Sequence, residues 1–118
     1  MSKKFLQEFY KSDAVLDRKI MEKYIHPDIS IEWHSTKGYR TLNRERILDV
    51  CDEMGQAYVW SNCKVSHIVA KGDEAAVRYS HYVKTVENPR EEMLLAHFTV
   101  FWEIRDGRLY RGYQMSQF

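Results

Sequence analysis

Five histidines, His26, His34, His67, His81 and His97, carry the capacity of this 118-residue chain to move protons near neutral pH. His81 is the one that its neighbours place. In the run Glu74–Val86, the residues Val77, Tyr79, His81 and Val83 fall on alternate positions and share one face of a strand. An imidazole among aliphatic and aromatic side chains could pass a proton to or from a bound molecule. The same position also suits a histidine hydrogen-bonded to a neighbouring strand or to water. Trp33 and His34 are adjacent, so on a strand they face opposite ways. If Trp33 lines a pocket, His34 turns outward or into a loop. Tyr79 and Gln114 could orient a substrate oxygen, or satisfy each other or a trapped water. Asp13 and Asp17 lie near the start of a helix, where a cap or a first-turn charge is their ordinary use.

Other chemistries lack their residues. No histidine has a paired His-x-x-x-His or His-x-Glu spacing, so no metal site is expected. There is no glycine-rich phosphate loop and no Gly-x-Ser-x-Gly elbow, so no cofactor is expected either. Cys51 and Cys63 have no partner motif. Eighteen Lys and Arg against seventeen Asp and Glu leave a net charge of +1, which argues against a nucleic-acid footprint. No apolar stretch approaches the roughly 20 residues of a membrane helix, and Met1–Glu8 has no apolar signal-peptide core. With two lone thiols, these features lead us to expect a cytoplasmic protein.

The elements that position these groups are helices first and a long sheet afterwards. Phe5, Leu6, Phe9 and Tyr10 mark a helix over about Lys3–Lys11. Ser12 and Asp13 can cap a second helix with Val15, Leu16, Ile20, Met21 and Tyr24 on one stripe, ending before Pro27. Ile29–Trp33 alternates as a short strand, and Ser35–Leu42 is expected to be a loop. Thr41 or Asn43 caps a third helix that turns Ile47, Val50, Cys51 and Met54 inward. Strands are expected over Lys64–Lys71, Glu74–Val86, Met93–Arg105 and Arg108–Gln117. Gly72-Asp73, Asn88-Pro89-Arg90 and Asp106-Gly107 turn between them, and Asp-Gly between apolar runs is a strong hairpin signal. The fold class is therefore α+β in one domain, a curved antiparallel sheet capped by N-terminal helices and enclosing a cone. Met93–Trp102 is apolar at successive positions, which suggests a second copy over the outer face, in a homodimer. His97, Thr99 and Phe101 on one strand, with Leu109, Arg111, Tyr113 and Met115 on the next, are assigned to that convex face.

This order resembles the nuclear-transport-factor-2-like (NTF2-like) superfamily, in its SnoaL-like and ketosteroid-isomerase-like branch. Tyr24–Trp33 followed by Asn43-Arg44-Glu45-Arg46-Ile47 carries the likeness, with Gly72-Asp73 before Ala76–Tyr79 and the closing Asp106-Gly107 hairpin. The resemblance implies a cavity capped by helices and dimers through the convex face. It also implies where catalytic groups would stand. The isomerases' Asp base falls on Trp33, their protonated Asp on Val100, and their helix-1 Tyr near Phe5 or Phe9. The cyclases' last-strand Asp falls on Gln114, an amide that can orient but not exchange protons. Some dehydratases place a catalytic Asp in the region of Asp13 and Asp17.

The expected ligand is a small apolar or aromatic molecule, in a cone lined by Trp33, Met54, Tyr79, His81, Trp102 and Gln114. Three readings stay open. One is a cofactor-independent isomerase, dehydratase or cyclase with His81 as its catalytic residue. The others are a non-catalytic ligand-binding module and a dimerisation scaffold with a filled cavity.

Overall fold

In the computed structural model, which describes residues 2–118, the helical half precedes the sheet. Helix α1 covers Ser2–Lys11 and buries Leu6 and Tyr10, one turn apart, while Phe5 and Phe9 on its flank pack on Tyr24. A short 3-10 turn, Ala14–Leu16, separates it from α2, Arg18–Tyr24. The expected single helix from Ser12 is thus interrupted. Asp17 is the capping residue, accepting from the backbone N–H groups of Lys19 and Ile20, and Asp13 makes no side-chain cap. Helix α3, Arg44–Ala57, starts at Asn43, whose side chain accepts the Arg46 N–H at 2.9 Å.

Six strands follow the expected class but not every expected boundary. Strand β1 covers Ile25–Ser35, and β2, Gly38–Asn43, occupies the stretch assigned above to a loop. That stretch lacks apolar alternation because β2 is an edge strand, with Leu42 its buried residue. Strand β3 begins at Tyr58, six positions before the expected Lys64, and runs to Lys71. Two bulges near Val59 and Ser66 break its alternation and hide its length. Strands β4, Glu74–Thr85, β5, Met93–Arg105, and β6, Arg108–Gln117, match their expected spans within a residue. The sheet order is β2-β1-β6-β5-β4-β3, with β1 and β6 parallel and every other pair antiparallel. Asp106 and Gly107 both have positive φ, as a two-residue hairpin of the twist-matched type demands.

Register decides which face each side chain joins. On β5, Ala96, Phe98, Val100, Trp102 and Ile104 are buried and His97, Thr99 and Phe101 face outward. On β6 one assignment is overturned. Leu109 is completely buried on the concave side rather than on the convex face. Ile104 pairs with Leu109 but Glu103 pairs with Arg111, so Tyr110 is an extra residue that flips the alternation. Beyond it Arg111, Tyr113 and Met115 lie on the outer side as expected. The bulge is braced by the Arg105 and Arg111 guanidiniums at 4.1 and 3.9 Å from the Tyr110 ring.

The core lies between the concave sheet face and the helices. Trp102 crosses from β5 over Gly112 on β6, and a Cβ there would lie 2.6 Å from its ring. Its indole N–H reaches over to donate to Tyr10 Oη at 2.9 Å, tying α1 to the sheet. Gly112→Ala should therefore lower stability by about 1–3 kcal/mol, the usual cost of overpacking a fitted core. Urea unfolding measures this, and an unchanged midpoint would show that the indole has room to move.

Candidate functional site

Between the concave face and the helices is a cavity of about 180 Å³. The sheet supplies Trp33, Tyr79, His81, Phe98, Trp102 and Gln114, and the helices supply Phe9, Tyr10, Val50, Cys51 and Met54. All six residues expected from the sequence are thus brought together in its wall. Larger depressions exist, one of about 540 Å³ between α1 and β3 that shares Tyr10 and Cys63 with the cavity, but His81, Tyr79, Trp33 and Gln114 do not line it.

An aromatic chain organises the interior. Tyr10 lies 4.7 Å from Tyr79, and Tyr79 stacks on Phe98 at 4.9 Å with rings nearly parallel. Phe98 in turn neighbours His81 at 6.2 Å and Trp33 at 6.3 Å. The alternation of β4 and β5 forces this arrangement, because Tyr79 is paired with Phe98 across the ladder. Trp33 is held by its own N–H, which donates to Ser116 Oγ at 2.8 Å, and by Arg40 over its ring at 4.3 Å.

His81 is 3% exposed, and its Nε2 lies 2.7 Å from Ser61 Oγ. Burial lowers its pKa to about 4, because the charged imidazolium would lose its hydration. Burial also raises the thiol of Cys51 to about 11 and that of Cys63 to about 12. The phenols of Tyr10 and Tyr79 are pushed well above their ordinary value by the same desolvation. Among the described residues no Asp, Glu, Lys or Arg lines the cavity. The site is therefore uncharged at neutral pH. A histidine this acidic is a weak base, far from the matched value that efficient proton transfer needs.

Tyr10, Phe98, Cys63 and the His81 partner Ser61 were not singled out from the sequence as site residues. On α1 Tyr10 joins Phe9 in the cavity wall, where the resemblance pointed to Phe5 or Phe9, and Phe5 does not line it. The signal of Tyr10 was present, since Leu6 and Tyr10 are spaced by four. Phe98 was hidden within the continuous apolar run of β5. Asp17 is occupied as a helix cap, and neither it nor Asp13 lines the cavity. His34 packs against the Tyr39 ring, tilted to it, outside the cavity. Among the described residues no group of three or more His, Cys, Asp or Glu is placed to hold a metal ion, and no helix is long and apolar enough to cross a membrane.

Residues 5–112 match the model of the SnoaL-like domain family, and the chain belongs to that family. Its fold is NTF2-like. It is similar to IdmH, a candidate polyketide cyclase from Streptomyces antibioticus, at 20% identity over 98% of this chain and 91% of that one, with a TM-score of 0.76. A candidate polyketide cyclase from Acidithiobacillus ferrooxidans is 14% identical over 98% and 87%, with a TM-score of 0.72. A Catenulispora acidiphila protein with a ketosteroid isomerase-like fold, solved with trimethylamine, is 10% identical over 97% and 85%, also at 0.72. At these identities the likeness is one of fold alone. No curated protein matches the chain.

The depressed pKa of His81 has a pH consequence. Above about pH 6.5 the imidazole is neutral folded or unfolded. As pH falls from about 6.5 to about 4, the unfolded chain takes up a proton that the folded chain refuses, so stability drops. Between pH 7 and pH 4 the wild type should lose on the order of 3 kcal/mol more than His81→Gln, at about 1.4 kcal/mol per pH unit. Parallel urea-unfolding profiles for the two proteins would show that the imidazole charges freely inside the fold.

Proposed function

We propose that this chain is a binding module for a small, uncharged, largely apolar molecule about the size of a substituted single ring. The observation that carries the reading is the neutrality of the cavity wall, where every ionisable side chain is pushed to its uncharged form. A charged ligand would enter without a counter-charge, at a heavy desolvation cost. Size gives the second bound. A protein cavity of about 150 Å³ accommodates benzene, so one of about 180 Å³ suits a substituted ring and not a fused multi-ring polyketide.

A second reading is a cofactor-independent isomerase, dehydratase or cyclase, with His81 as its base. It is supported by the pairing of His81 with Ser61, which fixes one ring nitrogen and leaves the other for a substrate. The low pKa weighs against it. Under the second reading, His81→Ala would abolish exchange of a ligand's acidic C–H with deuterated water. Under the first, the wild type shows no such exchange.

The test of binding is a thermal-shift series of toluene, benzoate and anthracene. Toluene at 100 times its dissociation constant should stabilise the fold by about 2.7 kcal/mol, several degrees in a domain of this size. Benzoate and anthracene should leave the transition where it is. Absence of any shift with toluene would overturn the reading.

We also propose a homodimer through the convex face. Phe101, Tyr113 and Met115 are 59%, 42% and 65% exposed there, beside His97 and Arg111, and a broad apolar patch of this kind is uncommon on a monomer. Light scattering should give twice the chain mass of 14.2 kDa. Phe101→Asp should return the single-chain mass with its helical circular dichroism intact. A wild-type protein already at single-chain mass at 100 µM would sink the proposal.

A further inference from the structure

Strand β3 is an edge of the sheet, bonded to β4 on one side only. It is 14 residues long, against six for β2 at the other edge. Among the described residues no backbone hydrogen bond other than those of the β4 ladder ends on residues 63–69. An open row of N–H and C=O groups of this kind is a template for another strand. Helix α1 packs beside it. Lys3, Gln7 and Lys11 are spaced by four, share one face of α1, and line a groove of about 540 Å³ with residues 65–69 of β3. A second depression of about 560 Å³ shares Lys3 and Ile68 with it and extends it to Asp73. Together they follow residues 63–70, about 26 Å at the rise of a strand. The bulge at Ser66 keeps Val65 and Ile68 on the helix side, opposite the inward Tyr79 and Val77, while Lys64, His67 and Val69 take the other side.

Charge selects the occupant. Helix α1 and strand β3 carry the lysines Lys3, Lys4, Lys11, Lys64 and Lys71 and a single acid, Glu8. That is a local excess of four positive charges in a chain whose total is +1. The cations flank the edge on both sides, Lys3 and Lys11 with the helix, Lys64 opposite Ser80 and His67 opposite Arg78 on the other. A second copy of this edge would bring lysine against lysine, the ordinary guard of an exposed strand against its own kind. An acidic strand would find a cation on each face. We propose that the β3 edge takes up an extended acidic peptide of about six to eight residues as an added strand beside α1. Its apolar side chains would lie over Val65 and Ile68, and its carboxylates towards Lys64 and Lys71, with Lys3 and Lys11 along the rim. Ladder hydrogen bonds would supply the affinity and the lysines the selection. This site is separate from the cavity and does not rest on the binding reading above.

The experiment titrates the isotope-labelled protein, read by its backbone amide NMR shifts, with an N-acetylated hexapeptide of alternating glutamate and valine. Its comparators are the lysine–valine counterpart and two forms of the glutamate peptide, N-methylated on one or the other set of alternate amides. The glutamate peptide should shift the amides of residues 63–70, leave those of β2 in place, and bind roughly tenfold tighter than the lysine peptide at low salt. One methylated form should bind as the parent does and the other should not, because an added strand bonds through one of its edges. Lys3→Glu combined with Lys64→Glu should weaken the glutamate peptide roughly tenfold. Both side chains are exposed, so the spectrum of the free variant should otherwise match wild type. Equal binding of the lysine peptide overturns the proposal. So does binding of both methylated forms, which is association by charge without an added strand. Shifts at residues 63–70 that grow with protein concentration in the absence of peptide make the occupant a second copy, and overturn it likewise. Absence of any shift with about 1 mM glutamate peptide overturns it outright.

Discussion

Trp102 is the residue on which the concave side depends. Its indole needs the space that Gly112 leaves empty and the oxygen that Tyr10 supplies. The first requirement joins β5 to β6, and the second joins the sheet to α1. Because Tyr10 is held at that point, its ring meets Tyr79, and the stack continues through Phe98 towards His81 and Trp33. One buried hydrogen bond thus sets the height of the helices above the sheet, and with it the size of the cavity. Bulk on both sides of the chain fixes this arrangement, since a close-packed interior tolerates little change in volume.

The electrostatics follow from the same enclosure. Desolvation is the leading influence on each of the cavity's ionisable groups, and the Arg18 charge offsets only part of it at Cys51. Histidine responds by losing its proton and thiols and phenols by keeping theirs. The chain has plenty of charge, 30% of its residues, but places it on the outside. Arg18, for example, faces Glu45, Asp49 and Asp52 on the exposed side of α3. A site of this kind discriminates by shape and by hydrogen bonds, not by attraction between charges.

Bulges explain where a reading of the sequence and the fold part company. Alternation is a local signal with a period of two, and one inserted residue reverses it. Tyr110 does so on β6, which is why Leu109 belongs to the core and Arg111 to the outside. Gln114, Tyr113 and Met115 lie beyond that point, on the faces that counting within their own segment assigns to them. The resemblance to the family placed the vacant catalytic positions on Trp33, Val100, Gln114 and Phe5 or Phe9; Trp33, Gln114 and Phe9 line the cavity, and Val100 and Phe5 do not. It missed Tyr10, because a helix position is shifted around the axis by about 100° for each residue of error.

The sequence by itself determined that helices precede the sheet, the Asp106-Gly107 hairpin and the inward faces of β4 and β5. These rest on turn residues and periodicities that act within a few positions of one another. It also determined that His81, Tyr79, Trp33, Met54, Trp102 and Gln114 share one interior. Only the tertiary structure decided that Ser61 would meet His81 across the β3–β4 ladder, and that β2 would form at the edge. Only it decided that Trp102 would take Tyr10's oxygen. Those outcomes depend on contacts between residues as far apart as Tyr10 and Trp102, and on how much space is left between them. Spacing along the chain carries no measure of that space, so the chemical character of the cavity is a property of packing.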